Sequence, residues 1–190
     1  LTDGQRDIML FASNGKTVRF DEAAVRAVGR TATGVRGMKL AAGEKVVSLI
    51  VAESAGDQPE VEDDAVDEVV ESASDDAVIE TAGGVDDASV AYILTATERG
   101  YGKRTPPADY PRKGRGTQGV IGIQTTARNG KLVAAVLLSN RDEVLLISDG
   151  GTLVRTRAAE ISLVGRNTQG VTLMRLADAE RLQALERLDG

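Results

Sequence analysis

The stretch Gly165-Arg-Asn-Thr-Gln-Gly170-Val171 occurs three times in the chain in related form. The earlier copies are Gly114-Arg-Gly-Thr-Gln-Gly119-Val120 and Gly29-Arg-Thr-Ala-Thr-Gly34-Val35. In every copy an arginine lies ten residues before the element, and a glycine lies four residues before that arginine. Identical residues at fixed spacing in three copies indicate an internal repeat. The arginines are Arg19, Arg104 and Arg155, and the glycines are Gly15, Gly100 and Gly151.

The repeated unit has the sequence pattern of β-strands. Its apolar runs are short, rich in Val, Ile and Leu, and closed by turn signals such as Asn14-Gly15 and Asn129-Gly130. About four strands in each repeat predict an all-β, propeller-like array of blades. Ala23–Val28 and Ala158–Val164 form one helical turn or stay irregular. The strand candidates are Ile8–Phe11, Val46–Val51, Val90–Leu94, Leu132–Leu138, Val144–Ile147 and Val171–Leu176.

A strongly acidic stretch separates the first two copies. Copies two and three are 51 residues apart, whereas copies one and two are 85 apart, so the stretch is an insertion between repeats. Residues 53–87 hold 14 acidic and no basic residues. The rest of the chain, which we call the body, has all 23 basic residues and the other 15 acidic ones, so its net charge is +8. The insertion is either a solvated loop or an acidic interaction segment, with weak helical spacing over 61–80. We predict blade one at 1–52, the insertion at 53–88, blade two at 89–139 and blade three at 140–190.

Composition excludes most catalytic chemistry. The chain has no Cys and no His, which removes thiolates, imidazole bases and most zinc sites. Gly102-Lys103 is followed by Arg104 where a phosphate-binding loop needs Ser or Thr. We therefore expect no catalytic residue, no metal and no cofactor. No apolar run reaches the roughly 20 residues of a membrane span, and no signal peptide is evident, so a cytoplasmic location without membrane contact is expected.

The cations of the repeat are the candidate binding residues. The chain has too few aromatic residues for a surface on which the bases of single-stranded nucleic acid would stack. Arg and Lys beside glycines can instead bind the backbone phosphates of duplex DNA. The alternative is that the glycines serve tight turns and the arginines merely solvate the surface. For the repeated set we favour phosphate contact. The predicted DNA-binding residues are Lys16, Arg19, Arg30, Arg36, Lys39, Lys103, Arg104, Arg112, Lys113, Arg115, Arg155, Arg157, Arg166 and Arg175.

Longer motifs carry a family resemblance. Gly100-Tyr-Gly-Lys-Arg-Thr105 and Tyr110-Pro-Arg-Lys-Gly-Arg-Gly-Thr-Gln-Gly-Val120 resemble the C-terminal domain of the bacterial DNA gyrase A subunit. So does Met9-Leu-Phe-Ala-Ser-Asn-Gly-Lys-Thr-Val-Arg-Phe20. The resemblance implies a β-pinwheel of four-stranded blades that exchange strands. It implies a rim that wraps duplex DNA with a positive hand and presents a segment for ATP-driven strand passage and negative supercoiling.

The resemblance also implies partners and a context. The partners are the gyrase B subunit and the rest of the gyrase A subunit, which together form an A2B2 holoenzyme. Other domains of that holoenzyme use ATP and Mg. Its location is the bacterial cytoplasm, at the nucleoid. The family's domain usually has six blades, and the three here resemble the last three; its signature basic box is absent. Two alternatives are the equivalent topoisomerase IV domain and a protein-interaction propeller. The acidic insertion is expected to compete with DNA for the basic rim or to tune the spacing of the blades.

Overall fold

A computed structural model describes residues 2–54 and 90–188 of the chain. Within them there are eleven strands, three single 3-10 turns and no α-helix, which confirms the all-β prediction. Most of the acidic insertion, including the helical spacing at 61–80, lies outside the described residues. The strands are β1 (Arg6–Ala12), β2 (Lys16–Asp21), β3 (Val46–Glu53), β4 (Ala91–Thr97), β5 (Tyr101–Thr105), β6 (Val120–Ile121), β7 (Leu132–Ser139), β8 (Glu143–Ser148), β9 (Leu153–Arg157), β10 (Val171–Thr172) and β11 (Leu182–Leu188).

The strands form three antiparallel sheets, one for each repeat. Blade one has the order β3-β1-β2-β6, blade two β10-β5-β4-β7 and blade three β11-β8-β9. The fourth strand of blade one, β6, comes from the repeat of blade two, and that of blade two, β10, comes from the repeat of blade three. Each of these two blades therefore has four strands through exchange. Blade three has three strands within the described residues.

Each exchanged strand begins at the last glycine of the repeated element. Gly119 and Gly170 have φ values of +75° and +78°, which only glycine adopts readily. A Cβ at Gly119 would overlap the carbonyl oxygen of Thr17, and one at Gly170 would overlap that of Gly102. The repeated glycines thus allow the chain to turn and approach the preceding blade closely.

The hydrophobic core consists of layers between neighbouring blades. Met9, Phe11 and Ile50 of blade one pack with Ile93 and Tyr110 of blade two. Leu94 and Leu138 of blade two pack with Leu146, Ile161 and Met174 of blade three in the same way. The inner strands β3, β7 and β11 contact one another in sequence, so the short exchanged strands lie at the perimeter.

The connection after the second strand of each repeat is a single 3-10 turn. These turns are Glu22–Ala24, Pro107–Asp109 and Ala158–Glu160. Of the two alternatives for Ala23–Val28 and Ala158–Val164, a single helical turn or irregular structure, the first residues of both segments adopt the turn. The predicted strand at Val171–Leu176 is only two residues long. Val171 pairs with Gly102 and Thr172 with Tyr101, and the chain then turns away from β5.

Candidate nucleic-acid interface

Two loops at the perimeter carry the repeated element, and we call residues 114–119 and 165–170 the rim loops. The first rim loop lies against blade one. Gly116 donates its backbone N–H to Gly37 O at 2.7 Å, and Lys39 donates its own to Thr117 O at 2.7 Å. The second rim loop is held by blade two, where Gln124 donates its backbone N–H to Thr168 O at 2.9 Å. Each rim loop therefore bridges two blades.

The arginine of each rim loop donates to backbone carbonyl oxygens of the preceding repeat. Arg115 donates from Nε to Ala24 O at 2.9 Å and from Nη1 to Arg36 O at 3.2 Å. Arg166 donates from Nη1 to Ile121 O at 2.9 Å. Arg36 and Ile121 are equivalent positions of the repeat. Both guanidinium groups are partly exposed, so they lie at the surface in a fixed orientation.

The first rim loop gathers three further predicted cations. Lys16 donates from Nζ to Gln118 Oε1 at 3.1 Å. Arg36 and Lys39 are exposed on the segment that pairs with the loop. With Arg115, these side chains form a basic patch at the junction of blades one and two. Their closeness depends on the rim loop, because 102 residues separate Lys16 from Gln118.

The second junction has a basic patch that the sequence prediction missed in part. The guanidinium of Arg128 lies 5.1 Å from the ring centre of Tyr101, and its hydrogen bond is the main cause that lowers the pKa of the Tyr101 hydroxyl. The charge of Arg99 also lowers the pKa of this hydroxyl. Arg175 is exposed and follows Met174, whose backbone N–H donates to Gly100 O. The available signal for Arg99 and Arg128 was their position beside Gly100 and Asn129-Gly130.

The arginines on the second strands are structural, and the structure corrects their predicted role. Arg19 is 4% exposed and Arg104 is 8% exposed. Arg19 donates to Asp7 Oδ2 at 2.7 Å and to Pro107 O at 2.6 Å. Arg104 donates to Ile161 O at 2.7 Å and Ala159 O at 3.2 Å, and also to Asn140 Oδ1. Both fasten their blade to the next one and have no free surface for a phosphate.

Three more predicted cations are interior and need the same correction. Lys103 is fully buried and Lys113 is 2% exposed. Lys103 donates from Nζ to Gly165 O at 2.7 Å, to Thr168 O at 3.2 Å and to Arg166 O. Arg112 has only 11% of its side chain exposed and forms an ion pair with Asp7 at 2.6 Å. These residues hold the blades and rim loops in place, so contact with DNA is not expected of them.

The remaining predicted residues are exposed. Arg155 has 65% of its side chain exposed and forms an ion pair with Glu143. It occupies the repeat position of Arg19 and Arg104. In the described part of the chain, however, no further blade follows blade three, so no turn of a next blade contacts Arg155. Arg30 and Arg157 are exposed as well. Of the three arginines at the glycine-flanked loop position, Arg115 and Arg166 thus lie at blade junctions.

Other kinds of site are not found among the described residues. None of their acidic groups form a cluster of three that could hold a metal ion. No helix within 2–54 and 90–188 is long and apolar enough to cross a membrane. Tyr110 is buried in the core between blades one and two, whereas the rings of Tyr92 and Tyr101 lie beside the guanidinium groups of Arg104 and Arg128.

The family comparison matches this repeated architecture. The sequence model described as "DNA gyrase C-terminal domain, beta-propeller" matches residues 6–53, 91–139 and 142–189. The chain belongs to this gyrase C-terminal domain family. The three matched segments correspond to the three repeats, so the resemblance to the gyrase A C-terminal domain and the pinwheel fold are confirmed.

Curated relatives of this gyrase C-terminal chain are longer proteins. It is 47% identical to the DNA gyrase A subunit of Pseudomonas aeruginosa over 188 residues, covering 99% of the chain and 17% of that protein. It is 49% identical to the DNA gyrase A subunit of Haemophilus influenzae over 189 residues, covering 99% of the chain and 21% of that protein. The chain therefore spans about a fifth of the length of these relatives.

Two solved structures share the fold. A structure of the DNA gyrase A C-terminal domain has a TM-score of 0.71 at 24% identity, covering 98% of this chain and 52% of that one. The C-terminal domain of DNA topoisomerase IV has a TM-score of 0.76 at 21% identity, covering all of this chain and 48% of that one. At these identities the likeness shows the fold alone. The gyrase C-terminal chain corresponds to about half of either solved domain.

Proposed function

We propose that this chain wraps duplex DNA along its perimeter as part of the gyrase A subunit. The observation that carries the proposal is the position of Arg115 and Arg166. The two arginines occupy the same repeat position, lie at successive blade junctions and are fixed by backbone carbonyls of the preceding repeat. A duplex that follows the perimeter would meet one basic patch at each junction.

Contact of this kind reads charge and shape rather than base sequence. Arginine offers phosphates a charge and paired donors, and a set of such contacts along a curved surface favours bent DNA. The cations of the two junction patches are Lys16, Arg36, Lys39 and Arg115 at the first, and Arg99, Arg128, Arg166 and Arg175 at the second. The net charge of −6 does not oppose this function, because 14 acids are concentrated in residues 53–87.

The wider role follows from the family. In the holoenzyme the wrapped segment is presented for strand passage and negative supercoiling. The remaining gyrase A domains and the gyrase B subunit supply cleavage and the use of ATP and Mg, and this chain supplies no catalytic group. Its compartment is the bacterial cytoplasm. The acidic insertion lowers affinity by competing with DNA for the junction patches.

The test is a salt titration of duplex binding by this chain, with two unrelated DNA sequences. Each of Arg115→Ala and Arg166→Ala is expected to weaken binding to both sequences and to lower the slope of log K against log salt by about 1. Arg141→Ala is the matched control. Arg141 is exposed in the turn between β7 and β8 and is not part of either rim loop, so the same loss of charge there is expected to leave the slope nearly unchanged.

Two further arms separate the alternatives. Deletion of residues 55–86 is expected to tighten binding at low salt. Equal slopes for all three arginine variants would show that overall charge, not the rim, carries binding. A strong preference for one base sequence would contradict the proposal. DNA binding that does not depend on salt, together with binding of an acidic protein, would contradict it as well and would favour the protein-interaction propeller.

A further inference from the structure

Lys103 reaches from blade two into the backbone of the second rim loop. It lies on β5, and its side chain is fully buried. Its Nζ donates to Gly165 O at 2.7 Å, to Thr168 O at 3.2 Å and to Thr168 Oγ1 at 3.0 Å, and also to Arg166 O. Four oxygen acceptors of one short loop therefore converge on a single nitrogen.

These contacts surround the residue that carries the proposed DNA contact. The carbonyl groups of Gly165 and Arg166 belong to the two peptide units on either side of the Arg166 Cα, so Nζ fixes both units. At the other end of the side chain, the Arg166 guanidinium donates from Nη1 to Ile121 O at 2.9 Å. The backbone and the head group of Arg166 are thus each held by a separate contact.

The first rim loop is held in a different way. Val18 lies at the repeat position of Lys103, and Thr117 lies at that of Thr168. The Oγ1 atom of Thr117 is buried and has no hydrogen-bond partner among the described residues. Backbone bonds to the segment 37–39 hold this loop instead. A buried side-chain cation is therefore used at the second junction and not at the first.

The hold of Lys103 on the loop depends on its protonation. A protonated lysine has three N–H donors for these four oxygens, whereas a neutral amine has two. Burial, the main cause, and the charge of Arg166 in the rim loop lower the pKa of Lys103 to about 7, and Asp109 in the preceding 3-10 turn acts in the opposite direction. A phosphate that neutralises Arg166 would weaken this repulsion and favour the protonated lysine. DNA binding and proton uptake at Lys103 are therefore expected to favour each other.

We propose that Lys103 is a positioning residue for DNA contact at the second junction. Its Nζ holds the peptide units around Arg166 so that the guanidinium is presented to a phosphate, and Lys103 itself does not touch the DNA. The second junction therefore binds DNA in a proton-linked manner, whereas the first junction, with Val18 at this position, does not. The inference rests on the proposed function, because it concerns the DNA contact of Arg166.

The first test is a double-mutant cycle in the salt titration of duplex binding. Lys103→Met alone is expected to lower the slope of log K against log salt by up to about 1, because the phosphate contact of Arg166 is lost. Combined with Arg166→Ala, it is expected to cause almost no further change. Combined with Arg115→Ala, it keeps its full effect, because that contact belongs to the other junction. Additive effects of Lys103→Met and Arg166→Ala would overturn the proposal.

The second test is the dependence of binding on pH. The affinity of the wild type for duplex DNA, relative to that of Lys103→Met, is expected to be constant below about pH 7 and to fall above it. The fall is less than about tenfold per pH unit, because at most one proton is taken up. The chain has no His and no Cys, and the other titrating groups are common to both proteins. A ratio of affinities that does not change with pH would overturn the proton link.

A milder pair of variants covers the case in which Lys103→Met does not fold, which its thermal midpoint would reveal. Thr168→Val removes one of the acceptors of Nζ and is expected to lower the slope by a smaller amount. Thr117→Val is the matched control in the first rim loop, where no lysine reaches the hydroxyl, and it is expected to leave the slope unchanged. Equal slopes for these two variants would contradict the proposal.

Amide hydrogen exchange measures the hold on the loop without DNA. The Gln124 amide donates to Thr168 O at 2.9 Å, and the Lys39 amide makes the equivalent bond to Thr117 O at 2.7 Å. Lys103→Met is expected to speed exchange roughly tenfold at Gln124 and to leave Lys39 unchanged. Unchanged exchange at Gln124 would show that Lys103 does not hold the loop.

Failure of the proposal differs from failure of the proposed function. If DNA does not bind at the rim, Arg115→Ala and Arg166→Ala both leave the slope unchanged. If Lys103 does not position Arg166, the slope falls in Arg166→Ala but stays at its wild-type value in Lys103→Met.

Discussion

The two blade junctions each bury an arginine of the second strand, Arg19 or Arg104, but with different partner side chains. At the first junction, Asp7 is fully buried and accepts from Arg19 at 2.7 Å and from Arg112 at 2.6 Å. At the second, the repeat position of Asp7 is Tyr92. The guanidinium of Arg104 there lies 5.0 Å from the Tyr92 ring centre and donates to neutral oxygens. The first junction is thus an ionic network, whereas the second relies on carbonyl groups and an aromatic ring.

The difference continues at the rim loops. Val18 lies at the repeat position of Lys103 and packs in the apolar cluster of blade one. Lys103 instead places its buried Nζ among the carbonyl oxygens of Gly165, Arg166 and Thr168. The backbone exchange is common to both junctions, so it sets the fold. The side chains then decide how each junction responds to substitution and to pH.

The largest expected effect is at the ionic network. Asp7→Ala removes the carboxylate that Arg19 and Arg112 share. Arg19 is almost fully buried, and Arg112 keeps its longer ion pair with Asp21, at 3.5 Å. We expect the free energy of unfolding to fall by about 3–5 kcal/mol in urea denaturation, because breaking a buried ion pair leaves an uncompensated charge.

The third copy supplies the control for this substitution. Glu143 occupies the repeat position of Asp7, but its partner Arg155 has 65% of its side chain exposed. Glu143→Ala is expected to cost about 1 kcal/mol or less, as is usual for exposed pairs. Equal losses for the two variants would contradict the assignment of Asp7 as the centre of a buried network.

The strands, the repeat and the all-β class were predictable from the sequence, because they depend on local apolar periodicity and on glycine spacing. The exposure of the repeated arginines was not. Arg19 and Arg155 have the same local sequence pattern, yet one is buried and the other is exposed. The difference arises from the neighbouring blade, since burial of Arg19 requires the turn at Pro107, 88 residues away. A single repeat contains no information about whether its junction is occupied.

A second comparison uses the glycines at which exchanged strands begin. Gly119→Ala and Gly170→Ala each combine a left-handed backbone with overlap on a carbonyl oxygen of the preceding blade. We expect each to lower the free energy of unfolding by about 2–4 kcal/mol. Gly34→Ala has the backbone term alone and is expected to cost roughly 1–2 kcal/mol. A loss at Gly34 as large as at Gly119, measured by the same denaturation, would show that the chain at Gly34 is already closely packed.

Counted per pH unit, the smallest effect distinguishes the second junction through its dependence on pH. Burial is the main cause that lowers the pKa of Lys103, from an unfolded value of 10.5 to about 7, and the nearby Arg166 adds to it. Between these two values the unfolded chain binds a proton at this site that the folded chain does not. Stability should therefore rise with pH across that window, by up to about 1.4 kcal/mol per pH unit.

Lys103→Met isolates this contribution. The variant keeps an apolar stem, as Val18 does at the first junction, but cannot titrate. We expect the free energy of unfolding of the wild type, relative to Lys103→Met, to be constant below pH 7 and to increase between pH 7 and pH 10.5. A difference that stays flat across this range would mean that the carbonyl oxygens of the second rim loop hold the ammonium charged throughout. The second junction would then match the first in keeping its cation ionised, by means of neutral oxygens in place of a carboxylate.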